Sequence, residues 1–375
     1  LSKRPLRPTT LVAAILSAIT FTTAGTAAAA APAHPGAAHV PSAVSRIEDQ
    51  TARAVAAALT DPALRARIRS AALSSHEVDL QALTGRVTTA AGRALHSRLG
   101  GADRSIAAAK GLDSKVGSLL RLRLGADSMR TALTADAEPL VASASAGDDS
   151  ATLTAYDSRG RTHTLDTHSI PSRPVYVVDI DGSRAVAAGM AVLHRAFAER
   201  GLSTPAATAL DTAGWWATKV DAVEVYDDQE PWFKGDAEMF SLVTGFGLDG
   251  KARVDSVDMP YLNNDNTVYY PNQILVNWSN YKYNLADVVM MEDDGDTNYL
   301  SLAQALTTAL LTIADQGTYI PLVNAVLNAM PASWWTDDPD YVESWYTLAQ
   351  GSTGRLNGAS GNGWMTVEPY FVQQF

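Results

Sequence analysis

The hydrophobic period of this chain changes near Ala135, and that change limits the folds open to it. Over residues 44–133 the apolar side chains recur at helical spacing, with Ile47, Ala52, Val55, Ala56 and Leu59 on one face. Thr60-Asp61-Pro62 then supplies a capping residue and a proline suited to a helix start, and Leu64, Ile68 and Ala72 carry the pattern on. Further amphipathic segments are expected over 87–99 and 105–124, with breaks at Gly100-Gly101 and Gly125. Beyond Ala135 apolar and polar residues alternate over 139–144, 151–157 and 161–167, and Asp157-Ser158-Arg159-Gly160 sits where a hairpin turn belongs. A strand over 175–180 and a helix over 184–200, closed by Gly201, follow. From Trp215 onward strands are expected over 219–226, 237–244, 273–278 and 287–291. Helices over 299–314 and 320–329, then strands over 341–348 and 364–372, complete the chain.

This pattern predicts an α+β chain in parts. Lys3, Arg4 and Arg7, an apolar run over 11–24 and a small-residue tract over 26–31 read as a secretory signal peptide, residues 1–31. The run falls short of the roughly 20 strongly apolar residues that span a bilayer, so no transmembrane anchor is expected after cleavage. A flexible leader over 32–43 precedes a helical domain over 44–135, a β-rich connector with one helix over 136–210, and an acidic β-sandwich with inserted helices over 211–375. The protein is expected to be secreted. With no cysteine in the chain, disulfides and thiolate chemistry are excluded, and stability outside the cell must come from the core or from a metal.

Charge divides at the same border. Residues 1–210 hold 23 Lys and Arg against 17 Asp and Glu, whereas residues 211–375 hold 6 against 23. So large an acidic excess opposes nucleic-acid binding and favours divalent cations. All 8 Trp and 11 of the 13 Tyr lie after residue 210, while all 7 His lie before residue 195, so any histidine chemistry belongs to the N-terminal part.

Two acidic stretches stand at the ends of expected strands. Calcium takes six to eight oxygen ligands at about 2.3–2.6 Å, which carboxylates on neighbouring strand ends can supply. The first stretch offers Asp227, Asp228 and Glu230, returning through Asp236. The second offers Glu292, Asp293, Asp294 and Asp296, with Asn298 as a further oxygen donor; Asp337, Asp338 and Asp340 form a third cluster. Carboxylates this dense repel one another unless a cation or solvent screens them. The alternative is that they are solvated loop charges, some at helix N-termini.

Over residues 215–300 the arrangement of strand, acid-bearing loop, return strand and later acidic loop resembles the calcium-binding C2-type β-sandwich. That resemblance implies calcium in the loops and a partner- or phospholipid-binding module, although the basic strand patch that many such modules present to lipid is absent. Asp61-Pro62-Ala63-Leu64-Arg65, His76-Glu77-Val78-Asp79-Leu80, Asp228-Gln229-Glu230-Pro231-Trp232 and Asp340-Tyr341-Val342-Glu343-Ser344-Trp345-Tyr346 resemble an uncharacterised family of secreted bacterial proteins, a domain of unknown function. The similarity spans nearly the whole mature chain and carries no activity with it.

Catalytic signatures are incomplete. Asp294, Asp296 and Asn298 fit the first EF-hand positions, but Tyr299 replaces the glycine and Ala305 the closing Glu. His76-Glu77 opens like a zinc-protease helix, yet the second histidine position is Leu80. There is no GxSxG elbow, P-loop or GxGxxG. Asp179-Ile180-Asp181-Gly182 resembles the strand-end Asp-x-Asp of aspartyl phosphatases, but too few βα units follow it, and a turn after a buried strand explains it better. A Ser-His-Asp set would have to assemble from distant positions around His163, His168 or His194. Trp215-Trp216, Trp232, Trp334-Trp335 and Trp364 would stack on sugar rings if exposed, though packing in the core is the commoner fate of tryptophan. The expected function is a secreted calcium-binding protein with a binding or structural role toward an extracellular partner or glycan. An extracellular hydrolase or carbohydrate-binding protein acting on polysaccharide is the alternative.

Overall fold

The computed structural model describes residues 41–146, 150–203, 214–227, 232–235, 237–293, 295, 297–330 and 341–373. The segment 1–31 and nearly all of 32–43 therefore lie outside the described residues. Helix α1 (Ala43–Ala58) is capped by Ser42, whose hydroxyl accepts from the Ser45 N–H, and it buries Val44, Ala52, Val55 and Ala56. Helix α2 (Pro62–Ser74) starts as its sequence predicts, with Asp61 accepting from two backbone N–H groups and Pro62 at the first helical position. The short strand β1 (Glu77–Asp79), helix α3 (Leu80–Thr84) and helix α4 (Ala90–Ala109) follow.

Two expectations fail in α4. The helix runs straight through Gly100-Gly101, where a break was expected; a glycine costs about 1 kcal/mol inside a helix, which packing against α1 offsets. It also ends at Ala109, so the segment over 105–124 is not one helix: Leu120–Leu124 is strand β2. In β2 Leu120, Leu122 and Leu124 face the core, and Arg121 and Arg123 fall on the other face.

After helix α5 (Arg130–Thr134) come strands β3 (Leu140–Ser143), β4 (Thr152–Tyr156), β5 (Thr162–Asp166) and β6 (Val175–Ile180), each close to its predicted place. The β4–β5 hairpin turns where predicted. Gly160 takes a φ of 78°, a left-handed value that favours glycine, and Asp157 accepts from the N–H groups of Arg159 and Arg161. Burial opposes the Asp157 charge, yet hydrogen bonds from the backbone and guanidinium of Arg161, from His163 and from the Arg159 N–H hold its carboxyl well below the ordinary range.

These strands form a six-stranded sheet A, in the order β1-β2-β6-β3-β4-β5, in which only β3 and β6 run parallel. Sheet A draws β1 and β2 from the stretch expected to be wholly helical and crosses the border expected at 135. Helix α6 (Gly182–Glu199) follows β6 and ends at Gly201, which has a φ of 72°.

Two antiparallel sheets of four strands complete the fold. Their strands are β7 (Gly214–Val225), β8 (Met239–Phe246), β9 (Ala252–Asp258), β10 (Gln273–Asn277) and β11 (Leu285–Glu292). Helices α7 (Tyr299–Leu310) and α8 (Val323–Ala329) then precede β12 (Tyr341–Ala349), β13 (Gly354–Asn357) and β14 (Gly363–Gln373). Sheet B has the order β10-β7-β14-β13 and sheet C the order β12-β11-β8-β9. Strands β9 and β13 were not anticipated.

One face of sheet C shares a core with sheet B, built from Val220, Val223, Val243, Val288, Met290, Trp345 and Met365. On its other face Phe240, Leu242, Val289 and Met291 join the core that holds Tyr299, Leu302, Leu306 and Val323 from α7 and α8. Burial on both faces explains why β8 and β11 read as nearly unbroken apolar runs. Helix α6 reaches α7 at Gly189, where a Cβ would run into the Tyr299 ring. The chain is thus a mixed α/β protein with N-terminal helices and antiparallel sheets; its sheets do not by themselves establish a C2 topology.

Candidate functional site

The pairing of β8 with β11 decides how the acidic stretches lie. Met239 opposes Glu292 in the ladder, and the Asp293 N–H donates to the Glu238 carbonyl at 3.2 Å. The return arm of the first stretch therefore runs beside the second. Asp227, just beyond β7 in sheet B, is exposed and held through its backbone: its N–H donates to Asn362 Oδ1 at 3.1 Å, and Asn362 Nδ2 donates to its carbonyl at 2.9 Å. Asp228, Glu230, Asp236, Asp294 and Asp296, with the third cluster Asp337, Asp338 and Asp340, lie outside the described residues. Among the described residues no group of three or more His, Asp and Glu is placed to hold a metal ion.

Glu292 and Asp293 do not sit as open loop charges, since both are almost fully buried. Lys110, the residue that ends α4 and is itself 0% exposed, reaches Asp293 with Nζ 2.9 Å from Oδ1 and 3.1 Å from Oδ2. The same ammonium donates to the Gly295 carbonyl at 2.7 Å, and the Tyr299 hydroxyl donates to Asp293 Oδ2 at 2.8 Å. Taking two such charges out of water is costly unless the pair and its remaining hydrogen bonds are complete, as they are here. A lysine thus supplies the cation that the sequence suggested a metal would supply at this residue.

Asn298 serves the same junction in place of the ligand role expected of it. Its Oδ1 caps α7 by accepting from the Ser301 N–H at 2.8 Å, and its Nδ2 donates to the Ala109 carbonyl at 2.6 Å. The only early sign of Lys110 was its place, a lone cation closing the apolar run Ile106-Ala107-Ala108-Ala109.

The Asp-x-Asp pair at the end of β6 is neutralised by arginines. Asp181 caps α6 through the Arg184 N–H and pairs with Arg121, while Asp179 pairs with Arg123 at 3.2 Å. Arg123 also donates to the Phe233 carbonyl, so the segment returning toward β8 covers this charged face of sheet A. Glu238 lies over the N-terminus of α6, so close to Gly182 that a Cβ would collide with its carboxylate; a negative group is favoured at that helix end.

The histidines do not complete a hydrolytic triad among the described residues. His163 Nε2 lies 3.2 Å from Asp157 without a serine, and His168 Nδ1 lies 3.5 Å from Asp166. His194 Nε2 is 2.8 Å from Ser256 Oγ, and no carboxylate among the described residues pairs with it. The tryptophans separate as their chemistry suggests: Trp278, Trp345 and Trp364 are buried, whereas Trp216 is 47% exposed. Trp334 and Trp335 lie outside the described residues.

These features define a class: a mixed α/β protein whose N-terminal helices and sheet are joined to an acidic two-sheet half through a buried lysine–aspartate pair. More particularly, residues 48–375 match the family model described as protein of unknown function (DUF3103), and the chain belongs to that family. No curated protein and no solved structure matches it. No helix among the described residues is long and apolar enough to cross a membrane.

Proposed function

We propose that this protein is exported and acts outside the cell as a calcium-binding module, through the acidic loops of its C-terminal half. The observation that carries this reading is the β8–β11 pairing, which runs the return arm of one acidic stretch beside the other. Lys110 engages Asp293, so the ion falls to the remaining acids: Asp227, Asp228, Glu230, Asp236, Glu292, Asp294 and Asp296. Of these, Glu292 is buried at the end of β11 and would meet the ion from the sheet side. A site of about 10⁻⁴ M affinity is half filled well below millimolar extracellular calcium and stabilises the fold by mass action. In this reading calcium fixes loops that present a C2-like surface to a partner.

Thermal unfolding with EDTA and with about 5 mM calcium tests the reading. Calcium is expected to raise the melting temperature by about 3–6 °C. The double variant Asp228→Asn/Asp294→Asn is expected to lose that rise. An unchanged melting temperature in the parent chain, or a rise that survives in the double variant, sinks the proposal.

A second reading, glycan binding, is favoured by one specific observation. Trp216 and Phe371 are 47% and 41% exposed and stand directly opposite each other at the paired ends of β7 and β14. The Trp216 and Phe371 rings meet edge to face at 5.4 Å. Exposed aromatic faces of this kind stack on sugar rings. Retardation in gels containing soluble polysaccharide is expected for the parent chain and lost in Trp216→Ala; equal mobility with and without polysaccharide rejects this reading.

A further inference from the structure

Between α2 and the β1–α3 segment lies an open cleft of about 730 Å³, lined by Arg67, Ser70, Ser75, Glu77, Asp79 and Arg86 among others. Its charged residues are not equally engaged. Asp79 caps α3 by accepting from the Ala82 N–H at 2.8 Å, accepts from Ser118 at 3.2 Å and lies 3.5 Å from Arg121. Arg67 is different: its Nε is buried without a hydrogen-bond partner, and neither it nor Arg86 forms an ion pair with any described residue. Nearby arginines show what is usual in this fold. Arg69 is bonded to Asp136 and the Thr134 carbonyl, and Arg130 to Asp127 and the Leu73 carbonyl. Guanidinium groups present fixed planar donors that match carboxylate and phosphoryl oxygens, and a buried donor left unmatched is costly.

We propose that this cleft is a binding site for a small organic oxyanion, a phosphoryl- or carboxylate-bearing molecule held by Arg67 and Arg86. The site is independent of the acidic loops and of calcium. Ser70 and Ser75 on its wall offer hydroxyls to the polar remainder of such a ligand.

Glu77 makes the binding depend on pH. Glu77 lies on the edge strand β1 with part of its surface open to solvent; partial loss of hydration, then the charges of Asp179 and Asp181, push its carboxyl up to about 7, opposed by Arg121 and Arg123. Other charged groups around it are Asp79 on its own strand and Arg67 and Arg86 across the cleft. Below neutral pH the carboxyl is protonated and donates a hydrogen bond to an anion. Above it the carboxylate repels the anion, so affinity falls as pH rises through about 7.

Isothermal titration calorimetry of the full chain with sulfate, whose charge is constant over this range, tests the proposal at pH 6 and pH 8. Saturable binding several-fold tighter at pH 6 is expected. Glu77→Gln, which stays neutral, is expected to bind sulfate and to lose the pH dependence. Arg67→Gln/Arg86→Gln is expected to bind about tenfold more weakly or not at all, since two charge-assisted contacts go. Circular dichroism of each variant confirms its fold, and Arg86→Gln alone, at an exposed position, serves as the milder change. Phenyl phosphate and benzoate then separate the two ligand types: a preference for the first assigns a phosphoryl ligand, for the second a carboxylate. No saturable binding of any of the three anions, or binding that the double arginine variant retains, overturns the proposal.

Discussion

Replacing Lys110 with methionine is expected to destabilise the protein by about 3–5 kcal/mol, because it leaves the Asp293 carboxylate buried without its cation. Both side chains are fully buried, so no water is at hand to take the place of the ammonium. The Gly295 carbonyl would lose its donor in the same step. Asp293→Asn should cost a comparable amount, because it leaves the ammonium short of a counter-charge. The double variant Lys110→Met/Asp293→Leu is expected to recover a large part of the loss, since an apolar pair of similar volume often replaces a buried ion pair at little cost. Urea unfolding midpoints of the three variants check this. A single-variant loss below about 1 kcal/mol, the range of an exposed ion pair, would show that this contact does not hold the two halves together.

A loss of similar size is expected from Glu343→Ala. The Glu343 carboxylate is fully buried in β12 and accepts three backbone N–H groups, from Ser344 at 2.7 Å, Ser360 at 2.8 Å and Asn362 at 2.7 Å. Truncation orphans all three donors and opens a cavity. At about 1–3 kcal/mol for each unsatisfied group, partly relieved by water entering, the expected cost is about 3–5 kcal/mol. The β13–β14 turn curls so tightly round this carboxylate that a Cβ at Gly358 would strike it. Glu343→Gln keeps one acceptor oxygen and should lose less. Amide exchange gives the local readout: protection at Ser360 and Asn362 should fall in Glu343→Ala well before protection in β7 changes. Unchanged protection at both amides would remove Glu343 from its organising role.

Much of the fold was legible because local pattern and final environment agree. Helix α6 and strands β6, β11 and β14 lie within a few residues of where spacing put them, since each has a face or a run whose burial dictates its composition. Strand β2 was written in the sequence as Leu120-Arg121-Leu122-Arg123-Leu124, a plain alternation. Helical spacing in the residues before it, which holds through Ala109, masks that alternation. Strand β1, three residues long, is too short to carry any period.

The candidate site was legible only in its charge. A dense run of acids is visible in one dimension, whereas the group that neutralises Asp293 is contributed by α4, far away in sequence. The expected binding of a cation and the observed burial of a lysine answer the same repulsion, and nothing local distinguishes them. Arg67 shows the converse: its cleft is formed by segments close together in the chain, but that its Nε lacks a partner among the described residues is visible only in three dimensions.

The position of β14 between β7 and β13 has a consequence for the order in which the protein matures. During synthesis β7 exists long before β14, and until residues 363–373 arrive one of its edges remains open and the core shared with sheet C lacks Met365 and Val367. Incomplete sheets with bare edges invite pairing with the wrong chain. A newborn chain therefore has an interval in which a holding chaperone would find its target ready-made, and the docking of β14 closes that edge of β7.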